Sequence, residues 1–134
     1  MKRMQSNKIY DENNYDHTAT IPIFVYGTLM RGQRAAHMLE QYKYVGEFVL
    51  KDYALYNVSY YPGIKYLQGA STIGEVYLVD EACISRMDEY EVEGSLYIRK
   101  MVNVENAEYK IEAYAYVYNR DVDGPVIEGK WTSA

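Results

Sequence analysis

Short apolar runs with a period near two dominate the chain and predict strands; only two segments carry helical spacing. Residues 21–26 form a β-rich run that ends at Gly27, a strand followed by a turn. Residues 44–58 are β-prone throughout, but Val45, Phe48, Val49 and Leu50 do not alternate cleanly, which predicts a bulge or bend. Pro62-Gly63 reads as a turn. Strands are expected after it over 64–67 and 71–79, the second with Ile73, Glu75 and Tyr77 on one face and Val76 and Leu78 on the other. Two further β runs, 97–104 and 109–118, flank Asn106 in a hairpin-like connection. Residues 31–41 have helical composition, with Ala35, Met38 and Leu39 at helical spacing. Residues 81–91 predict a second helix, with Asp80 as its N-cap and Gly94 as its stop.

This gives about six strands and two helices that do not alternate regularly, a pattern of the α+β class built on an antiparallel sheet, either open or curled into a barrel. The 134 residues suit one domain. Residues 1–20 are polar and without period, and are expected to be a flexible tail; 21–134 are expected to form the single domain. The stretch 124–134 is short and turn-rich.

Composition changes this picture in a few places. Tyrosine is abundant, with 17 copies against 2 Phe and 1 Trp. Its ring suits sheet faces, and its hydroxyl suits the wall of a polar cavity. The net charge of −5 and the lack of a basic run argue against nucleic-acid binding, which needs clustered Lys and Arg. No apolar stretch approaches the roughly 18 residues of a membrane helix, and no signal-peptide core follows Lys2 and Arg3. The one cysteine, Cys83, cannot form an intrachain disulfide, which fits a reducing, cytoplasmic setting. Only His17 and His37 could supply imidazole, and neither zinc motifs nor phosphate-cradling glycine motifs are present. Carboxyl groups, tyrosines and backbone groups remain as chemical tools.

Three segments could carry chemistry. On the 81–91 helix, at about 100° per residue, Cys83, Ile84, Met87 and Tyr90 form an apolar arc. Glu91 falls inside or beside that arc, Asp88 at its edge, and Arg86 and Glu89 opposite. Periodicity leaves two outcomes open: the last turn frays and Glu91 reaches solvent, or it faces inward and desolvation raises its pKa into the range of a proton shuttle. The second segment, Tyr26, Gly27, Thr28 and Leu29, follows a strand. It is either an ordinary glycine turn or a set of backbone N–H groups for a carboxylate or oxyanion. In the third, Tyr97 and Arg99 share one strand face and Tyr114, Tyr116 and Tyr118 share another, where they pack together or line a cavity.

The run Phe24-Val25-Tyr26-Gly27-Thr28-Leu29-Met30-Arg31-Gly32-Gln33 closely resembles the opening motif of the γ-glutamyl cyclotransferase-like family. More narrowly, it resembles the branch with γ-glutamylamine cyclotransferase and its small bacterial relatives. Met87-Asp88-Glu89-Tyr90-Glu91, followed by Gly94, Tyr97 and Arg99, resembles the family's second signature, and Gly74-Glu75-Val76-Tyr77 a weaker third. The end of the last long strand, Tyr116-Val117-Tyr118, also fits. The resemblance spans residues 21–120.

It implies a small mixed, largely antiparallel β-barrel with flanking helices and a cavity at one end. It implies release of 5-oxoproline and a free amine from a γ-glutamyl amine or related conjugate, by attack of the glutamyl α-amino group on its own γ-carbonyl. By position in the motif, Glu91 matches the catalytic glutamate, and Tyr26, Gly27, Thr28 and Leu29 match the loop that supplies N–H donors. Tyr97 and Tyr118 are the expected lining residues, and Arg99 either meets substrate or forms a structural ion pair. No metal or cofactor is implied, and the partner is a small molecule. The alternative is a non-catalytic binding module for a small carboxylate-bearing ligand on the same barrel.

Overall fold

The computed structural model describes residues 18–132. Five strands close into a barrel: β1 (Ile21–Val25), β2 (Lys43–Asn57), β3 (Pro62–Val79), β4 (Tyr97–Glu105) and β5 (Lys110–Tyr118), in the order β1-β3-β2-β4-β5. Helix α1 (Glu81–Glu91) joins β3 to β4. Every neighbouring pair is antiparallel except β1 and β5, which meet in parallel at Ile23 and Tyr114. The α+β class and the mixed, largely antiparallel barrel are as expected; among the described residues the flanking helical content is one α-helix and one short 3₁₀ turn.

Strand alternation sorts the core into two layers. Phe24, Phe48, Leu50, Ile64, Val76, Val104 and Ala115 come from all five strands and form one buried cluster, the barrel interior. Their sequence neighbours Ile23, Val25, Tyr77 and Tyr116 face the other way and pack with Cys83, Ile84 and Met87 of α1. The helix therefore seals the outside of one wall, driven by burial of its apolar arc. The 1–20 tail falls outside the described residues as far as residue 17, and Ala19 is already buried in the outer layer.

The bend expected in 44–58 is present: the β2–β3 register shifts between Tyr44 and Gly46 and again between Lys51 and Tyr53. At the second shift Asp52 adopts φ 66, and its carboxyl accepts the Gly69 N–H at 2.9 Å. Four local expectations are corrected. Residues 31–41 form no α-helix; only Ala36–Leu39 makes a 3₁₀ turn. The segment runs in three-residue turns, with Met30 N–H donating to Gly27 O and Gln33 N–H to Met30 O, both at 3.0 Å, while Gly32 sits at φ +83. A tertiary bond, Ala35 N–H to Thr28 O at 2.9 Å, folds it back. Composition favours helix here, and these contacts override it.

Pro62-Gly63 opens β3 instead of making a turn, because a strand's first residue tolerates the missing N–H. The turn lies just before, where Val58 N–H donates to Tyr61 O at 3.0 Å. The two strands expected over 64–67 and 71–79 are one continuous strand, and residues 67–70 bulge between Tyr66 and Ser71 outside the β2 register, with Gly69 held by the Asp52 carboxyl. The turn-rich C-terminal stretch has a defined place as a strap. Ile127 N–H donates to Leu55 O at 2.7 Å, Ile73 N–H to Gly129 O at 2.9 Å, and the Trp131 indole to Asn57 at 2.8 Å, seating Trp131 in the interior cluster.

Asp80 caps α1 as expected, accepting the Cys83 N–H at 2.8 Å, and the same oxygen accepts the Tyr42 hydroxyl at 2.9 Å. Replacing Asp80 by Ala is expected to lower stability by about 1–2 kcal/mol, since a cap and a buried hydroxyl's partner go together. Chemical denaturation would measure it; an unchanged midpoint would show that the cap is dispensable. At the other end Val92, at φ 52, turns the chain out of the helix. Gly94 (φ +92) lies in the turn that follows and is not the stop itself.

Candidate active site

The last residue of α1 meets the loop that leaves β1. A cavity of about 240 Å³ lies between them, lined by Tyr26, Gly27, Thr28 and Leu29 on one side and by Tyr90 and Glu91 on the other. Phe24, Val25, Tyr61, Pro62, Leu96, Tyr97 and Tyr116 complete the wall. Among the described residues, Glu91 is the only lining residue with a carboxyl group, and none carries a positive charge.

Glu91 faces this cavity because the helix continues regularly to its last turn. Met87, one turn earlier on the same arc, is fully buried. The Val92 N–H donates to Asp88 O and Glu89 O, so the helix closes tightly instead of fraying. The Glu91 side chain makes no hydrogen bond or ion pair among the described residues. Burial alone pushes its pKa up to about 7, because the charged form loses solvation with no partner to replace it.

Asp88, three residues earlier, is the opposite case. It forms an ion pair with Arg99 and accepts the Tyr116 hydroxyl at 2.6 Å. Burial acts upward on its pKa, but the Arg99 and Tyr116 hydrogen bonds outweigh burial and hold it below the usual carboxyl range. Two carboxyl groups on one helix are thus driven apart, one fixed as a structural anion and one able to exchange a proton near neutrality. Arg99 belongs to the structural pair. It lies 5.2 Å from the centre of the Tyr114 ring and is not among the cavity residues.

The tyrosines of the wall are pinned. Tyr26 donates to Tyr116 O and Tyr97 to Pro62 O, each at 2.6 Å. Burial above all raises both phenol pKa values, and the neighbouring Glu91 charge adds to this, so both stay protonated. The Tyr90 hydroxyl and Thr28 Oγ1 lie 2.7 Å apart, a hydrogen bond that ties the end of α1 to the loop.

The loop supplies donors. The backbone N–H groups of Gly27, Thr28 and Leu29 have no protein acceptor among the described residues, although Thr28 and Leu29 are 5% and 3% exposed. Buried N–H groups are nearly always paired, so a guest with an acceptor oxygen suits this place. Gly27 has to be glycine: a Cβ there would sit 2.6 Å from Pro62 Cγ.

Of the residues singled out in the sequence, Tyr26, Gly27, Thr28, Leu29, Tyr97 and Glu91 come together at the cavity. Tyr118 does not reach the wall. It stacks edge-on against Tyr97, ring centres 5.4 Å apart, and packs on Gly63 one layer behind. Tyr116, on the same strand face, takes the lining position, and Tyr61, Pro62, Tyr90 and Leu96 were not foreseen as lining. Strand alternation gives the face and not the depth. No group of three or more potential metal ligands occurs among the described residues. No helix among them is long and apolar enough to cross a membrane.

Comparison with known proteins adds to this geometry. Residues 23–133 match the family described as gamma-glutamyl cyclotransferase, AIG2-like. The chain is 36% identical over 112 residues to the gamma-glutamylcyclotransferase family protein YtfP of Escherichia coli, covering 81% of this chain and 94% of that protein. Among solved structures, an uncharacterised protein of Pyrococcus horikoshii superposes with a TM-score of 0.65 at 30% identity, covering 81% of this chain and 86% of the other. An AIG2-like protein of Mus musculus superposes with the same TM-score at 29% identity, over 72% and 76% of the two chains.

Proposed function

The chain belongs to the gamma-glutamyl cyclotransferase, AIG2-like family, and from this premise we propose that it is a cofactor-independent enzyme that cyclises the γ-glutamyl group of a γ-glutamyl amine or related conjugate, with Glu91 as its general acid and base. The observation that carries this reading is Glu91 itself: a solitary carboxyl group in a tyrosine-walled cavity, opposite free N–H groups, with a pKa pushed up to about 7 by burial.

In the proposed reaction the glutamyl α-carboxylate or the developing oxyanion accepts from the 27–29 N–H groups. The substrate's α-ammonium group gives a proton to Glu91. The free amine attacks the γ-carbonyl carbon and closes a five-membered ring. The tetrahedral intermediate collapses as the bond to the departing amine breaks and Glu91 returns its proton to that amine; the ring nitrogen, which still carries two protons after the attack, gives one to the freed Glu91 carboxylate, which passes it to the amine or to solvent. The products are 5-oxoproline and the free amine, and no water is consumed. The cavity favours the folded-back conformation that brings amine and carbonyl together, an advantage that can reach several kcal/mol. A pure anion-binding role is less well supported, because an inward carboxyl group repels the anion it would have to hold.

The test is incubation with a panel of γ-glutamyl amines and detection of 5-oxoproline by mass spectrometry; no 5-oxoproline from any of them would overturn the proposal. The pH profile is a second check. Glu91 must be ionised to accept the α-ammonium proton, so kcat/KM is expected to rise about tenfold per pH unit below pH 7 and to level off above it. A rising limb centred near the ordinary carboxyl value of 4.5 would mean that the group taking the proton is solvated, against the buried Glu91 on which the proposal rests.

A further inference from the structure

Glu75 is a second buried carboxyl group, 3% exposed, outside the cavity wall and without an ion pair among the described residues. Such a group is expensive to bury, and an apolar side chain would fill the place as well. Its two contacts are therefore informative. Glu75 Oε1 accepts the backbone N–H of Arg31 at 3.0 Å and the Tyr77 hydroxyl at 3.3 Å. In the barrel, Glu75 pairs in register with Val25, the last residue of β1. The loop thus leaves the wall beside Glu75, passes through residues 26–30, and returns to the Glu75 side chain at Arg31. The backbone bonds that shape the loop, Met30 N–H to Gly27 O and Ala35 N–H to Thr28 O, lie within the segment. Side chains tie it elsewhere, Tyr26 to Tyr116 O, Thr28 to the Tyr90 hydroxyl and the Arg31 guanidinium over the Tyr44 ring, but among the described residues Glu75 is what holds the backbone of the returning end to β3.

We infer that Glu75 is a positioning residue for the site: its side-chain oxygen clasps the returning end of the 26–30 loop to β3 and so aims the Gly27, Thr28 and Leu29 N–H groups at the substrate. The inference rests on the reaction proposed above for its kinetic consequence, but the clasp can be measured without turnover. Glu75→Gln keeps an acceptor oxygen at the same place, whereas Glu75→Leu keeps the bulk and removes the acceptor. Arg31→Pro removes the donor and leaves Glu75 untouched.

In Glu75→Leu, hydrogen exchange of the 27–31 amides is expected to accelerate about tenfold, with KM for a γ-glutamyl amine rising by about the same factor and the pH limb staying in place. Glu75→Gln is expected to match the wild type within about threefold in both measurements. If Glu75→Leu does not fold, Arg31→Pro is expected to give the same acceleration at residues 27–29. Unchanged exchange and unchanged KM in a folded Glu75→Leu protein would overturn the clasp, as would a Gln variant as impaired as the Leu variant. A wild-type protein that releases no 5-oxoproline would remove the reaction, and the exchange measurement would still decide the clasp.

Discussion

Glu91→Gln is expected to slow 5-oxoproline release by about 10²–10⁴-fold, the usual contribution of a positioned acid–base group. The amide keeps the side chain's shape and hydrogen-bonding capacity but cannot take a proton from the attacking amine. KM should change little, because the proposed contacts to the glutamyl carboxylate come from the 27–29 backbone. Turnover at the wild-type rate would end the assignment of Glu91.

The same substitution has a stability signature with a defined sign. The folded state raises the Glu91 pKa from 4.5 to about 7, so it binds this proton more tightly than the unfolded chain does. Below about pH 4.5 both states are protonated and burial carries no electrostatic penalty. Between there and pH 7 the wild type loses stability as pH rises, by an amount on the order of 3 kcal/mol once the folded carboxyl is ionised. Glutamine carries no such penalty. Relative to the wild type, the variant should therefore gain stability between pH 4 and pH 8, and any constant offset from the amide cancels in that comparison. Urea denaturation at both pH values would measure it, and a gap independent of pH would mean that Glu91 is fully solvated.

Gly74→Ala is the second large effect expected, and it falls on stability. A Cβ at Gly74 would lie 2.4 Å from the backbone oxygen of Val25 and 2.6 Å from Phe24 Cζ. The side chain of Phe24 could shift at some strain, but the Val25 carbonyl belongs to the strand that launches the cavity loop. Relief therefore requires β1 to move away from β3, at a cost of about 3 kcal/mol. The melting temperature should fall by about 10 °C for a domain of this size. A fall of less than about 2 °C would show that β1 slides freely against β3.

What the sequence revealed follows how local each signal is. Helix 81–91 was legible because its cap, Asp80, and its apolar spacing lie within the segment itself. The direction of Glu91 was not, because it depends on whether the last turn holds, and that turn is secured by the left-handed Val92 and by walls from distant strands. Residues 31–41 misled for the same reason in reverse: their composition is helical, but the bond from Ala35 back to Thr28 and the clasp at Arg31 decide their path. The tyrosine strand gave the right face and the wrong depth, Tyr116 lining the cavity with Tyr118 behind Tyr97. The stop expected at Gly94 lies two residues earlier, since a non-glycine residue, Val92, takes the left-handed position.

The C-terminal strap divides the molecule's optical signals. Trp131 is the single tryptophan in the sequence, and it is seated in the barrel interior, absent from the cavity wall. Its emission therefore reports closure of the barrel and release of the strap. Tyr26, Tyr61, Tyr90, Tyr97 and Tyr116 surround the cavity. Occupancy of the site will register in tyrosine absorbance and emission, so that one sample gives separate readings of folding and of binding.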